Sequence, residues 1–360
     1  MGNSIGRLFR VCTFGESHGA AVGGVIEGLP PGIDLDLGRV QAALDRRNPA
    51  SALGSGRNEQ DRLEVLSGLQ DATTLGTPLA FLVRNQDARP ADYASLENVW
   101  RPSHGDFTTE AKYGLRARSG GGRASARETV ARVVAGAIAE QVLPFAEIVG
   151  WVSEIAGIAS VCDPNAITRA MVDQQLTRCP DPEAAAQMRA KINAAKESGD
   201  TVGGVIRCVV RGLPAGLGDP VFDKLEATLG HALLSVPSVK GFEIGSGFHG
   251  TRLRGSEHND AFEMSGDTVR TQTNHSGGVQ AGISNGMPLE LAVAFKPVAS
   301  IRQPQQTVDS SGNPTTLEVR GRHDACVLPR AVPIVEAMVA IVLADHFLRW
   351  RGQCGEAPNR

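Results

Sequence analysis

Lysine is scarce in this chain: of 36 basic residues only six are lysine, at positions 112, 191, 196, 224, 240 and 296, and the rest are arginine. Aromatic residues are scarce too, at 4%, so the core has to be built from Val, Ile, Leu and Ala. A net charge of −3 over 360 residues leaves no basic excess. That argues against a general nucleic-acid or membrane-surface binder, which would carry one. Six cysteines, at 12, 162, 179, 208, 326 and 354, form no CxxC pair. This spacing suits reduced thiols rather than a disulfide framework or a zinc site. Residues 1–15 have no continuous apolar stretch of the kind a secretory signal needs. Gly6 stands where N-myristoylation wants Ser or Thr. The longest clean apolar run, residues 337–344, is far short of the ~20 residues that span a bilayer. These absences read as a cytoplasmic protein with no membrane or nucleic-acid partner.

What is present is ordinary for a globular protein: 41% hydrophobic and 21% charged residues. The length has room for two or three units of about 150 residues, but no tandem repeat, low-complexity tract or linker divides it. Strand-like runs fall at residues 22–27, 79–83, 202–210 and 289–295. Helical spacing covers 37–47, 126–143, 183–198 and 221–234. Residues 333–348 are apolar on nearly every face and predict a buried helix. Strands come in separated pairs rather than in a βαβ rhythm, so an α+β layered domain is expected over a doubly wound parallel sheet.

The sharpest local signal is Ser119-Gly120-Gly121-Gly122-Arg123-Ala124-Ser125-Ala126-Arg127-Glu128. Three glycines lead into a helix, and Ser125 and Glu128 have capping-box spacing, which predicts a helix start at Ser125. A glycine-rich approach, free N–H groups and two flanking arginines are what an oxyanion site needs; the bland alternative is a flexible turn with solvated arginines. The turn is neither a Walker P-loop, since no Gly-Lys-Ser/Thr follows, nor a dinucleotide fingerprint. His18 (Gly15-Glu16-Ser17-His18-Gly19), His104 (Arg101-Pro102-Ser103-His104-Gly105-Asp106) and His323 (Gly321-Arg322-His323-Asp324) each sit among small or turn-forming residues. Imidazole titrates near neutrality and can act as acid or base. A lone loop histidine is usually only solvated; three such loops beside an arginine-rich helix start suggest a shared cleft. No metal-ligand spacing is present. His231 and His346 fall in predicted helices and read as structural, His249 and His258 as surface residues. Arg46-Arg47 close a helix, where they either complement its dipole or hold a ligand. The arginine bias itself fits GC-rich codon usage as well as bidentate anion recognition; position decides between them.

With these residues assembled, the chain resembles the chorismate synthase family almost end to end, from Gly6-Arg7-Leu8-Phe9-Arg10 to about Arg349. The resemblance rests on Thr13-Phe14-Gly15-Glu16-Ser17-His18-Gly19, Asp45-Arg46-Arg47, Arg101-Pro102-Ser103-His104, residues 120–129, Asn274-His275-Ser276-Gly277-Gly278 and Gly321-Arg322-His323-Asp324. It implies a β-α-β sandwich with helices layered between antiparallel sheets, a single catalytic domain over residues 1–350 with a tail at 351–360, and a homotetramer. It implies a 1,4-anti elimination of phosphate from 5-enolpyruvylshikimate 3-phosphate to give chorismate, with reduced FMN as cofactor. The activity is that of a carbon–oxygen lyase in the shikimate pathway to aromatic amino acids. By the same resemblance His18, His104 and Asp324 are the catalytic candidates. Ser17, Arg46, Arg47, Arg101, Ser125, Arg127 and Arg322 are the substrate-binding ones. Arg123, Ala124, Ser125, Pro237, Ser238, Ala281, Lys296, Pro297, Val298, Ala299, Ser300 and Arg322 are the flavin-contacting ones. Departures are Asn48 and Ala50 in the arginine run, and Leu53 where the family has a further arginine, with Arg57 as a candidate replacement. They bear on the substrate-phosphate contact and on any NADP site there. Ala124 stands where serine is common and Ala281 where glycine is. No extra domain reduces the flavin, so an external reductase or other source of reduced FMN is expected.

Overall fold

The computed structural model describes residues 2–48, 53, 60–86, 96–117, 120–319 and 324–355. Two five-stranded antiparallel sheets enclose a layer of helices. The first sheet comprises β1 (Ser4–Ile5), β2 (Arg10–Gly15), β3 (Ala21–Glu27), β4 (Glu64–Val65) and β5 (Leu79–Arg84), in the order β1-β2-β3-β5-β4. The second comprises β6 (Glu147–Ile155), β7 (Ile158–Ala159), β8 (Gly204–Arg211), β9 (Val239–Ile244) and β10 (Leu289–Phe295), in the order β9-β10-β8-β6-β7. Register follows side-chain alternation: Val22 pairs with Val83 in one sheet and Cys208 with Leu291 in the other.

The helices are α1 (Leu37–Arg47), α2 (Asp106–Tyr113), α3 (Thr129–Val142), α4 (Arg169–Asp173), α5 (Pro182–Glu197), α6 (Leu225–Leu234), α7 (Gly255–His258) and α8 (Leu328–Cys354). Asp36 caps α1 by accepting from the Arg39 amide at 3.1 Å, and Asp181 caps α5 in the same way ahead of Pro182. Helix α3 packs on β2, β3 and β5, and α8 packs on β6 and β8, so the two helices form the middle layer. They cross at Gly136, where a Cβ would come 2.3 Å from the Ala337 Cα. Only glycine permits that approach. Of the nineteen residues of α8 from Leu328 to His346, eighteen are almost wholly buried and Arg330 is half-buried. Burying each Val, Leu or Ile there stabilises by roughly 1.5–3 kcal/mol. Among the described residues α8 is the one helix long and apolar enough to cross a membrane, yet 89% of its most apolar stretch is buried in the fold. It continues to Cys354, into the stretch expected as a tail. The α+β architecture with helices between antiparallel sheets is the one expected.

Three helix starts differ from the sequence reading by more than one residue, among them α8, which begins at Leu328 rather than 333. Helix α3 begins at Thr129, after two single 3₁₀ turns, Gly122–Ala124 and Ala126–Glu128. Ser125 does accept from the Arg127 amide, at 3.3 Å, but the Glu128 carboxylate turns to Arg132 at 2.9 Å, an i,i+4 ion pair in place of a capping box. Helix α6 begins at Leu225 rather than 221, because Asp219 and Asp223 hold the preceding turn against Arg349, with Asp223 also taking Arg7.

His346 is buried and its Nε2 lies 2.8 Å from the Thr228 hydroxyl on α6. Burial, then the nearby Arg349, lowers its pKa from 6.5. The folded state therefore binds this proton less readily than the unfolded chain. The resulting stability is fully present above about pH 6.5 and is lost as pH falls below it. His346→Gln should show a shallower loss of urea resistance between pH 7 and pH 5 than the wild type; parallel pH profiles would remove His346 from the acid response.

Candidate active site

The two histidine loops meet across the glycine-rich turn. After β2 the chain turns back into β3 and presents Ser17 and His18, with the Ser17 Oγ 2.9 Å from His18 Nδ1. His104 precedes α2. Gly120 and Gly121 lie between them: a Cβ on Gly120 would come within 2.4 Å of His18 Nδ1, and one on Gly121 within 3.5 Å of His104 Cε1. Gly120 also has φ of +77°, so both its conformation and its neighbours require glycine. Ala124 packs under the His104 loop, against Gly105.

His104 is held from behind. Its Nδ1 lies 2.8 Å from Asp106 Oδ1, and Arg101 donates from Nε and Nη2 to the two Asp106 oxygens, each at 2.7 Å. Arg116 adds an ion pair at 3.4 Å. Burial by itself would raise the Asp106 carboxyl, but the hydrogen bonds from Arg101 and His104 outweigh it and hold the group well below the usual carboxylate range.

A second cluster sits at the end of α1. Arg47, 2% exposed, donates to the Thr129 hydroxyl at 3.0 Å and to the Ala126 carbonyl at 2.9 Å, and pairs with Asp61 at 3.5 Å. Asp61 is shared with Arg127, which also donates to Asn85 Oδ1 at 2.8 Å. Arg330 donates to Asp324 Oδ2 at 2.8 Å and to the Arg47 carbonyl at 3.4 Å. Burial, then the charge of Arg330, pushes Arg47 down to about 9. A guanidinium keeps its proton under ordinary conditions, so this direction records a charge buried beside a second guanidinium. Arg47, Asp324 and Arg330 line a cavity together with Thr129, Pro237, Ser238 and Phe295. Asp324 Oδ1 is buried there with no hydrogen-bond partner among the described residues.

Lys296 joins the two clusters. Its amide donates to the Ser238 carbonyl at 2.9 Å and its Nζ to the Ser103 carbonyl at 3.4 Å. Burial, then Lys240, lowers its pKa. The irregular segment that follows runs through Pro297, Val298 and Ala299 to buried Ser300, and is anchored by the Thr201 hydroxyl on the Val298 carbonyl at 2.8 Å. Ser103 and Ser238 both adopt left-handed backbone, with φ of +57° and +71°. Non-glycine residues held there store strain, which clusters at functional sites.

The structure thus brings together Ser17, His18, Arg47, Arg101, His104, Arg127, Pro237, Ser238, Lys296 and Asp324. Arg123 lies at the same turn, but its guanidinium reaches Thr13 Oγ1 at 2.7 Å and the Gly15 carbonyl at 3.2 Å, tying the turn to β2. Two expected residues lie elsewhere. Arg46 points away from Arg47 into a separate network, donating to Glu336 at 2.6 Å and Asp173 at 2.8 Å. Ala281, φ +52°, sits at a hairpin tip beside Gly282, which packs on Lys224 at the opposite end of α6 from Pro237 and Ser238. The left-handed backbone at 281 explains a preference for glycine there. Arg322 and Arg57 lie outside the described residues. Leu53 is buried in the main core, so that position makes an apolar contact rather than a charged one. Sequence reasoning did not single out Asp61, Asp106 or Arg330. Asp106 stood inside the histidine motif as a visible signal; Asp61 and Arg330 lie in no motif.

A family model described as "Chorismate synthase" matches residues 9–348. A chorismate synthase of Prochlorococcus marinus (strain MIT 9303) is 57% identical over 359 residues, covering 98% of this chain and 99% of that protein. One from Synechococcus sp. (strain WH7803) is 58% identical over 359 residues, with the same coverage. A crystal structure of chorismate synthase superposes with a TM-score of 0.75 at 29% identity, covering 96% of this chain and 93% of that one. The histidine loops, the glycine turn and the buried arginines therefore sit on a scaffold shared along its whole length with these proteins, and the chain belongs to the chorismate synthase family.

Proposed function

We propose that this protein is a carbon–oxygen lyase that eliminates phosphate from 5-enolpyruvylshikimate 3-phosphate to give chorismate, in the shikimate pathway to aromatic amino acids. The observation that carries the reading is the balance of buried charge. Among the described residues, three guanidiniums, of Arg47, Arg127 and Arg330, face two carboxylates, of Asp61 and Asp324, in one connected cluster beside a cavity. The substrate brings a phosphate and two carboxylates, and guanidinium groups hold such anions bidentately. Fixed cations near a departing phosphate stabilise the charge that builds on it.

The residues also suit a flavin. The cavity has an apolar wall from Pro237 and Phe295, and the orphaned Asp324 Oδ1 is an acceptor waiting for an N–H donor. Reduced FMN, when bound, supplies electron density transiently to the allylic system. Ser238, Lys296 and Asp324 would hold it, with Asp324 Oδ1 accepting a ring N–H. His104 would exchange a proton through its Nε2, since Nδ1 is engaged with Asp106. His18 would serve the leaving phosphate as a general acid. Arg101, expected at the substrate, acts instead through Asp106 in this reading. The homotetramer, the cytoplasmic setting and an external source of reduced flavin belong to the same proposal and rest on the family resemblance.

The test is anaerobic incubation with substrate and chemically reduced FMN. Chorismate and phosphate should form in equal amounts. Folded protein that binds flavin and releases neither product would leave only a binding function. Oxidised FMN with NADPH alone should sustain no turnover; continued product formation would place a reductase activity in this chain.

A further inference from the structure

We propose that Asp106 is a positioning residue that fixes His104 as the Nδ1–H tautomer and so leaves its Nε2 as the nitrogen that exchanges a proton. The inference deepens the proposed function, because it rests on His104 exchanging a proton. Three observations carry it. The Asp106 carboxylate is 6% exposed, and one of its oxygens, Oδ1, receives both His104 Nδ1 at 2.8 Å and Arg101 Nη2 at 2.7 Å. Its other oxygen takes Arg101 Nε at 2.7 Å and the Arg101 backbone amide at 3.1 Å, with Arg116 Nη1 at 3.4 Å. The ring edge at Cε1, between the two nitrogens, lies against the glycine turn, where a Cβ on Gly121 would come to 3.5 Å.

A carboxylate held charged by two guanidiniums can only accept, so the shared hydrogen belongs to the imidazole Nδ1. The remaining nitrogen, Nε2, then carries the exchangeable lone pair or proton. An orienting carboxylate behind a working histidine sets tautomer and ring angle without itself reacting. The arrangement also explains why Arg101 is buried and paired within its own loop rather than open to a ligand. Among the described residues, the other titratable groups near the ring are Lys296, whose Nζ reaches the Ser103 carbonyl, and His18 across the glycine turn. Neither contacts Nδ1, so the tautomer depends on Asp106.

Two measurements test the assignment. The first needs no turnover: ¹⁵N-histidine NMR of the wild-type protein, with the His104 signals identified through His104→Gln. The neutral ring should be protonated on Nδ1, and an Nε2–H ring would overturn the proposal. The second compares Asp106→Asn and Asp106→Glu with wild type in the anaerobic assay. The Asn variant should lose about 10²–10⁴-fold in kcat by analogy with a wrong-tautomer histidine, with KM changed less than about threefold and the pH profile of kcat displaced. The Glu variant should recover part of the loss. An Asn variant that folds and keeps both kcat and the wild-type pH profile overturns the proposal. If the wild-type protein proves inactive while the ring is Nδ1–H, the positioning stands and the proposed reaction falls.

Discussion

His104→Ala is expected to lower turnover of 5-enolpyruvylshikimate 3-phosphate by about two to four orders of magnitude, the range a general acid or base contributes. The ring has both a fixed orientation and an exposed side. Asp106 engages Nδ1 from behind, and the side chain remains 18% exposed next to Gly121. Removing it leaves Asp106 satisfied by Arg101, so the loop keeps its anchor and the variant should fold with near-wild-type melting behaviour. The loss should fall on kcat, while flavin affinity stays within a few-fold, because the cavity lined by Ser238, Asp324 and Arg330 is untouched. Steady-state kinetics beside flavin titration separates the two. Turnover within threefold of wild type would take His104 out of the chemistry.

Asp61→Ala should have the largest effect on stability, about 3–5 kcal/mol, the cost of stripping one partner from a buried ion pair. Asp61 is 2% exposed and is shared by Arg47 and Arg127, themselves 2% and 5% exposed. Without it, two guanidiniums remain buried close to Arg330, whose charge already helps depress Arg47. Chemical denaturation of wild type, Asp61→Ala and Asp61→Asn measures the cost. The Asn variant should be intermediate, since its amide oxygen still accepts while the charge is gone. An added anion offers a further signature: inorganic phosphate should raise the melting temperature of Asp61→Ala more than that of wild type, because the variant's cluster has lost a carboxylate. A loss under 1 kcal/mol with no anion response would mean that the arginines are satisfied without Asp61.

Local structure was legible where local chemistry is decisive. Helix α1 runs over the residues its spacing indicates, because Asp36 caps its start and Asn48 its end. The glycine turn was visible as a close approach, and it proves to be where His18 and His104 meet. The start of α3 was misread for an equally local reason. Glu128 can reach back to Ser125 or forward to Arg132, and only the packed helix face selects Arg132.

The charged partnerships were decided by the tertiary fold. Arg46 and Arg47 are neighbours in sequence, but successive residues on a helix point about 100° apart, so one faces Glu336 and Asp173 while the other enters the cavity cluster. Arg47 finds Asp61 fourteen residues away, while Arg330 reaches the Arg47 carbonyl across 283 positions. Ala281 carries a family-like small residue, yet α6 holds its hairpin apart from Ser238. By itself the sequence determined most of the elements, the close glycine approach and the family, since each depends on residues near one another or on whole-chain similarity. Which guanidinium meets which carboxylate, and which acceptor is left open in the cavity, depends on how α1, α3 and α8 pack between the sheets, because an ion pair is set by distance in space rather than along the chain.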